Sequence, residues 1–152
     1  MFGSLIRFCT GQKITHCYQR LPYEGNSQLS IVFHAAAFNV HYLNYHLFQT
    51  YQKEIISEWE ITVSEAEFAA AQEIRYEEAG KPYGWTQILG YLWVLVGKKH
   101  KNPLSDGKKT HVCVELIARI LGIDDAESLL VHELEQIVSN MPNTVRISTP
   151  LG

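Results

Sequence analysis

Residues 14–45 read ITHCYQRLPYEGNSQLSIVFHAAAFNVHYLNY, and their pattern decides the fold. Ile14 to Leu21 reads as a strand. Pro22 to Gln28 (PYEGNSQ) is rich in residues that favour turns. Leu29 to His34 (LSIVFH) is a β-branched and aromatic run, the composition of a strand. Ala35 to Phe38 is a short connection, and Asn39 to Tyr45 (NVHYLNY) alternates as a hairpin partner should. Three runs this close together predict an antiparallel meander.

Working outward, Phe2, Leu5, Ile6 and Cys9 fall at helical spacing, so Phe2 to Thr10 reads as a short amphipathic helix ended by Gly11. Ile55 to Ile61 is a further strand. Ser64 with Glu67 three residues later forms a capping-box pattern, opening a helix that runs to about Ala79 and stops at Gly80. A second helix covers Trp85 to Val96, a polar lysine-rich loop Gly97 to Thr110, and a third helix Val112 to Leu121, ended by Gly122. A fourth helix is expected over Asp125 to Ser139, and Thr144 to Ser148 (TVRIS) reads as a closing strand. Strands come first and helices later, without repeat or linker. This order predicts one α+β domain over residues 1–152, an antiparallel sheet packed on helices.

Composition bounds the function. The chain has 152 residues, 46% of them hydrophobic and 19% charged, with a formal net charge of −3. A chain of this length buries roughly 68–70% of its unfolded surface. The slightly acidic balance excludes the broad basic footprint of a dedicated nucleic-acid binder. Three cysteines without paired spacing argue for free thiols in a reducing compartment. The N-terminus, MFGSLIRFCTGQK, has no signal-peptide pattern, and the most apolar window, Trp85 to Gly97, is shorter than the ~20 residues a bilayer span needs. The expectation is a cytoplasmic chain without a transmembrane segment.

The candidate nucleophile is Cys113, in KKTHVCVELIARILG, at the start of a strongly helical stretch. The thiolate is the reactive form of cysteine, and the positive end of a helix stabilises it. The first-turn amides have no partner within the helix and can donate to an oxyanion. His16 is the candidate base, on the strand that opens the meander. A third group must hold its imidazole in one tautomer. His34 ends the next strand, and no Asp or Glu occupies LSIVFHAAAFNV. Cys9 and Cys17 lack a helix start and read as structural.

Other clusters invite a bland reading. His34, His41 and His46 are spaced seven and five apart, which fits no familiar zinc pattern. His34 and His41 are expected to face differently, and His41 and His46 to be surface or hairpin residues. Lys98, Lys99, Lys101, Lys108 and Lys109 make a basic loop before Cys113, read as a solvated segment or as a contact for an anionic substrate. Glu54 to Glu78 holds eight acidic residues, assigned to the outer face of the Ser64 helix. Glu115 suits the positive helix end and receives no catalytic role.

These segments together resemble the circularly permuted branch of the NlpC/P60, papain-like cysteine hydrolases (the YiiX-like group). The resemblance runs through IRFCTGQKITH to His16, then IVFHA with His34 and Ala35. It continues in the hairpin FNVHYL, the segment GKPYGWTQILG, and the helix opening Cys113-Val114-Glu115-Leu116. Val114 stands where the group usually has serine. The resemblance implies a single-domain papain-like fold with the permuted His-polar-Cys order. It implies acyl transfer without metal or cofactor: Cys113 attacks an amide or ester carbonyl, His16 shuttles the proton, His34 orients His16. Tyr18 and Tyr83 would line the substrate site. The substrates it implies are peptides, cell-wall-type peptides or lipid acyl groups, and a compact form fits a bacterium or its phage. A non-catalytic binding protein on the same fold, or a thioester-forming acyltransferase, are the competing expectations.

Overall fold

The computed structural model describes residues 16–23, 26–36, 38–51, 55–88, 90, 93, 112–124, 126 and 129–147. The helix expected at Phe2 to Thr10, most of that at Trp85 to Val96, and the lysine-rich loop lie outside the described residues. Residues 85–88, 90 and 93 are helical.

The meander is present. Strands β1 (Gln19–Tyr23), β2 (Asn26–Ala36) and β3 (Asn39–Asn44) form a sheet in the order β1-β2-β3, antiparallel throughout. Pairing reaches Tyr23↔Asn26, so the turn expected over Pro22–Gln28 is mostly strand. Pro22 falls at the register irregularity between Leu21 and Tyr23, on an edge strand. An edge is where a residue without an N–H is tolerated. Residues 16–18 precede β1 and are not strand, although the sequence reading began the strand at Ile14.

Strand β2 is central, and Val32, Phe33, His34 and Ala35 are all buried. Cover on both faces explains why LSIVFHA reads as a continuous run instead of alternating. One face, with Phe33 and Ala35, joins the main core of Val112, Val114, Leu116 and Ile117. The other face, with Val32, packs on Tyr45 and Phe48. Those two belong to α1 (Tyr45–Tyr51), a helix the sequence reading did not foresee. Its start is capped: Asn44 Oδ1 accepts from the backbone N–H of His46 at 2.9 Å and of Leu47 at 3.3 Å.

A second sheet pairs β4 (Glu58–Ile61) with β5 (Thr144–Ile147), antiparallel, closing the chain on itself. Helix α2 (Glu65–Glu78) begins with the capping box at Ser64 and Glu67. Its C-terminal end is tied to the meander, where Gly80 N–H donates to Val40 O at 2.8 Å with φ at 85°. The acidic residues of 54–78 are not all on an outer face. Glu78 is fully buried and pairs with Lys81 Nζ at 2.7 Å and Arg119 Nη1 at 3.0 Å. Burial of this carboxylate is sustained by those two cations, and Arg119 links α2 to a later helix.

That helix, α3 (Cys113–Ile120), buries seven of its eight residues. It ends in a Schellman motif: Gly122 N–H donates to Arg119 O at 3.0 Å and Ile123 N–H to Ala118 O at 2.9 Å. Gly122 has φ of 68°, the left-handed conformation this motif requires. Helix α4 (Val131–Asn140) starts six residues later than the expected Asp125. Glu133 sets the start, because its Oε2 accepts from Leu130 N–H at 2.7 Å. The described residues form a small α+β domain of antiparallel sheets and helices. None of their helices is long and apolar enough to cross a membrane.

Candidate active site

The site lies where the N-terminus of α3 meets the segment leading into β1. Val112 is the N-cap of α3, in extended conformation and without a side-chain cap. The first helical bond shown across this turn runs from Leu116 N–H to Val112 O at 3.1 Å. The amides of Cys113, Val114 and Glu115 therefore have no carbonyl four residues back within the helix. Cys113 is 5% exposed.

Two neighbours act on its sulfur. The Cys17 side chain and backbone and the His16 ring all bear on its protonation. The bond from Cys17 and the charge and bond of His16 pull the Cys113 thiol well below its ordinary value, against the opposing effect of burial. The Cys17 thiol moves the other way. Its bond to Cys113 and its own burial push it well up, so Cys17 stays protonated and donates. Cys17, expected to be structural, is half-buried and packs against the main core, and it also acts on Cys113. Its position next to His16 in the chain carries it to the same helix end.

His16 is held from its far side. Its Nε2 lies 3.1 Å from His34 Nδ1, with the rings edge to face at 75°. With Nε2 engaged by His34, Nδ1 is the ring nitrogen of His16 not taken up by that contact. His34 is 4% exposed, with Phe48 edge-on at 5.3 Å between centroids. Burial, then the neighbouring rings of His16 and His41, lower its pKa from 6.5 to about 3. His34 is therefore a neutral imidazole, which orients without contributing charge.

His41 is not a detached hairpin residue. It is the direct cross-strand partner of His34, so the two side chains share one face. Their Nε2 atoms are 3.2 Å apart, and His41 Nδ1 lies 3.2 Å from Asn39 O. The expectation that they face differently treated both as members of one strand. They sit on two strands of a hairpin that closes at Ala36↔Asn39 in strict register. That register was available from the short Ala37-Phe38 connection. Among the described residues, no group of three or more His, Cys, Asp or Glu is arranged to hold a metal ion.

The two tyrosines, expected to line the substrate site or to serve as core aromatics, hold separate places. Tyr18 packs on Phe48 with ring centroids 4.5 Å apart, but its hydroxyl donates to Glu58 Oε1 at 2.5 Å. Tyr45 donates to the same oxygen at 3.0 Å. Burial and the Glu58 carboxylate hold the Tyr18 hydroxyl firmly protonated, so Tyr18 braces the wall behind His16. Tyr83 lies at the hairpin end, its N–H donating to Phe38 O at 2.9 Å and its ring edge-on to Trp85. Glu115 is buried in the first turn of α3. The structure thus brings Cys113, His16 and His34 together, with Cys17 and His41 as members that sequence reasoning missed.

Comparison with protein families, curated proteins and solved structures returns no match. The chemistry of the site is read from its own geometry.

Proposed function

We propose that this chain is a cysteine-dependent hydrolase of amide or ester bonds. The observation that carries the reading is Cys113 at the N-terminus of a buried helix, its thiol lowered by His16, with His16 hydrogen-bonded in turn to His34. A sulfur with a lowered pKa, a base in contact with it and an orienting group behind that base are the three parts of an activated thiol. The resemblance to the permuted NlpC/P60 group supports the same reading, since it orders these residues as His, polar residue, Cys.

In this mechanism the Cys113 thiolate attacks the carbonyl carbon, and its proton resides on His16 Nδ1. The first-turn amides of α3 donate to the oxyanion that forms. His16 returns the proton to the leaving amine or alcohol as the C–N or C–O bond breaks. Water, deprotonated by His16, then cleaves the thioester and regenerates the thiol. Peptides, cell-wall-type peptides and lipid acyl groups are the substrate classes proposed.

Competitive labelling with iodoacetamide near neutral pH, read by peptide mass spectrometry, tests the proposal. Cys113 should be alkylated much faster than Cys17, and His16→Ala should abolish that selectivity. Equal labelling of the two thiols in the unaltered protein would overturn the reading.

A further inference from the structure

The described residues contain a series of imidazoles longer than a Cys-His-polar arrangement requires. It runs from His16 through His34 to His41 and ends on the carbonyl of Asn39. A carbonyl only accepts, so His41 Nδ1 carries the hydrogen in that bond. With the ring neutral, His41 Nε2 is a bare acceptor. His34 must then carry its hydrogen on Nε2, which leaves His34 Nδ1 bare. His16 Nε2 in turn carries the hydrogen that reaches His34. His16 Nδ1 is left unprotonated, the ring nitrogen available to take the Cys113 proton. Each ring dictates the tautomer of the next, and the direction is set at the Asn39 end.

From this geometry we infer that His41 is a positioning residue, which fixes His34 and through it His16 in the tautomer whose bare Nδ1 receives the Cys113 proton. The inference deepens the hydrolase reading and rests on it for its catalytic meaning. Three features support it independently of any activity. His34 and His41 are paired in register on adjacent strands, so their spacing is held by the sheet. The His41 ring is anchored two residues back on its own strand. Phe48 stands edge-on to His34, at 89° and 5.3 Å, a packed contact that resists rotation of the ring. A neutral His34 without its His41 acceptor could carry its hydrogen on either nitrogen. In the wrong tautomer it would present an N–H to His16, forcing the His16 hydrogen onto Nδ1 and removing the base.

The test is nitrogen-15 NMR of histidine-labelled protein, with Cys113 alkylation measured on the same samples. The unaltered chain should show His34 as the Nε2–H tautomer, His41 as Nδ1–H, and His16 with a hydrogen on Nε2. His41→Phe should give His34 as a mixture of tautomers and slow Cys113 alkylation roughly ten-fold. His41→Gln, whose side-chain oxygen can accept from His34 Nε2–H, should restore most of both. An Nδ1–H tautomer for His34 in the unaltered chain overturns the inference. So does a His41→Phe protein whose His34 tautomer and Cys113 rate are unchanged. If His41→Phe fails to fold, the tautomers of the unaltered chain decide alone. A Cys113 no faster than Cys17 in the unaltered protein, alongside the expected tautomers, removes the hydrolase reading and leaves the relay standing.

Discussion

Acidification should destabilise this protein through His34, and the size of the effect follows from its burial. In the unfolded chain His34 takes a proton near 6.5, and in the fold only at about 3. Between those values the unfolded state binds more protons, so stability falls as pH falls. The contribution is fully present above the unfolded value. From about pH 8 to about pH 5 the unfolded ring gains its proton over about 1.5 units while the folded ring gains almost none. At 1.36 kcal/mol per unit, this amounts to about 2 kcal/mol. Screening at the ring edge nearer solvent makes this an upper figure. Urea denaturation followed by circular dichroism at the two pH values measures it. His34→Asn isolates it, because only the pH dependence is compared and the baseline stability of the variant drops out. The unaltered protein should lose up to about 2 kcal/mol more than His34→Asn on acidification. Equal losses in the two proteins would refute the claim that the fold holds His34 neutral.

Three further outcomes follow from named contacts. Cys17→Ala removes a donor to the Cys113 sulfur, so the pH profile of Cys113 alkylation should move to higher pH. Leu116→Ala empties a fully buried position in the main core and should cost about 2–5 kcal/mol in urea denaturation. Gly122→Ala places a Cβ on left-handed backbone with no heavy atom within 4 Å of it. The cost there should be strain alone, about 1–2 kcal/mol by the same assay, without loss of Cys113 labelling.

Much of the fold was legible because its signals are local. Ser64 and Glu67 announce α2 by mutual capping, and Gly122 closes α3 by adopting a conformation other residues avoid. The alternation of Asn39–Asn44 gave the hairpin, and helical propensity put Cys113 at a helix start. What escaped was non-local or depended on register. Helix α1 owes its place to Phe48 and Tyr45 covering β2, and its only local herald is the Asn44 cap. Glu78 reads as a surface acid until Arg119, far along the chain, is seen beside it. Cys17 has no reactive signature of its own and acquires one only when α3 docks against residue 16's neighbourhood. His41 could have been placed from hairpin register alone, had the strands been aligned residue by residue.

The choice of a neutral imidazole behind His16 has a chemical consequence. A carboxylate in that place would stabilise the imidazolium that forms when Cys113 gives up its proton, whereas neutral His34 supplies only orientation. The ion pair must therefore be favoured from the sulfur side. The Cys17 side chain and backbone, and the positive end of α3, act on the sulfur in that sense. Glu58, an acid held against β1, has its carboxylate engaged by groups other than the imidazoles. Its Oε1 accepts from both Tyr18 and Tyr45, and Oε2 lies 3.7 Å from Arg20 Nη1. Arg20 also sits 4.1 Å above the Tyr45 ring. Glu58 is thus committed to bracing β4 against β1 and α1. A carboxylate released from that cluster would have no imidazole N–H left to accept from, because His34 and His41 already pair with each other and with Asn39. The division is consistent throughout: charge is handled at the sulfur, direction is handled by the imidazoles, and the two meet only at His16.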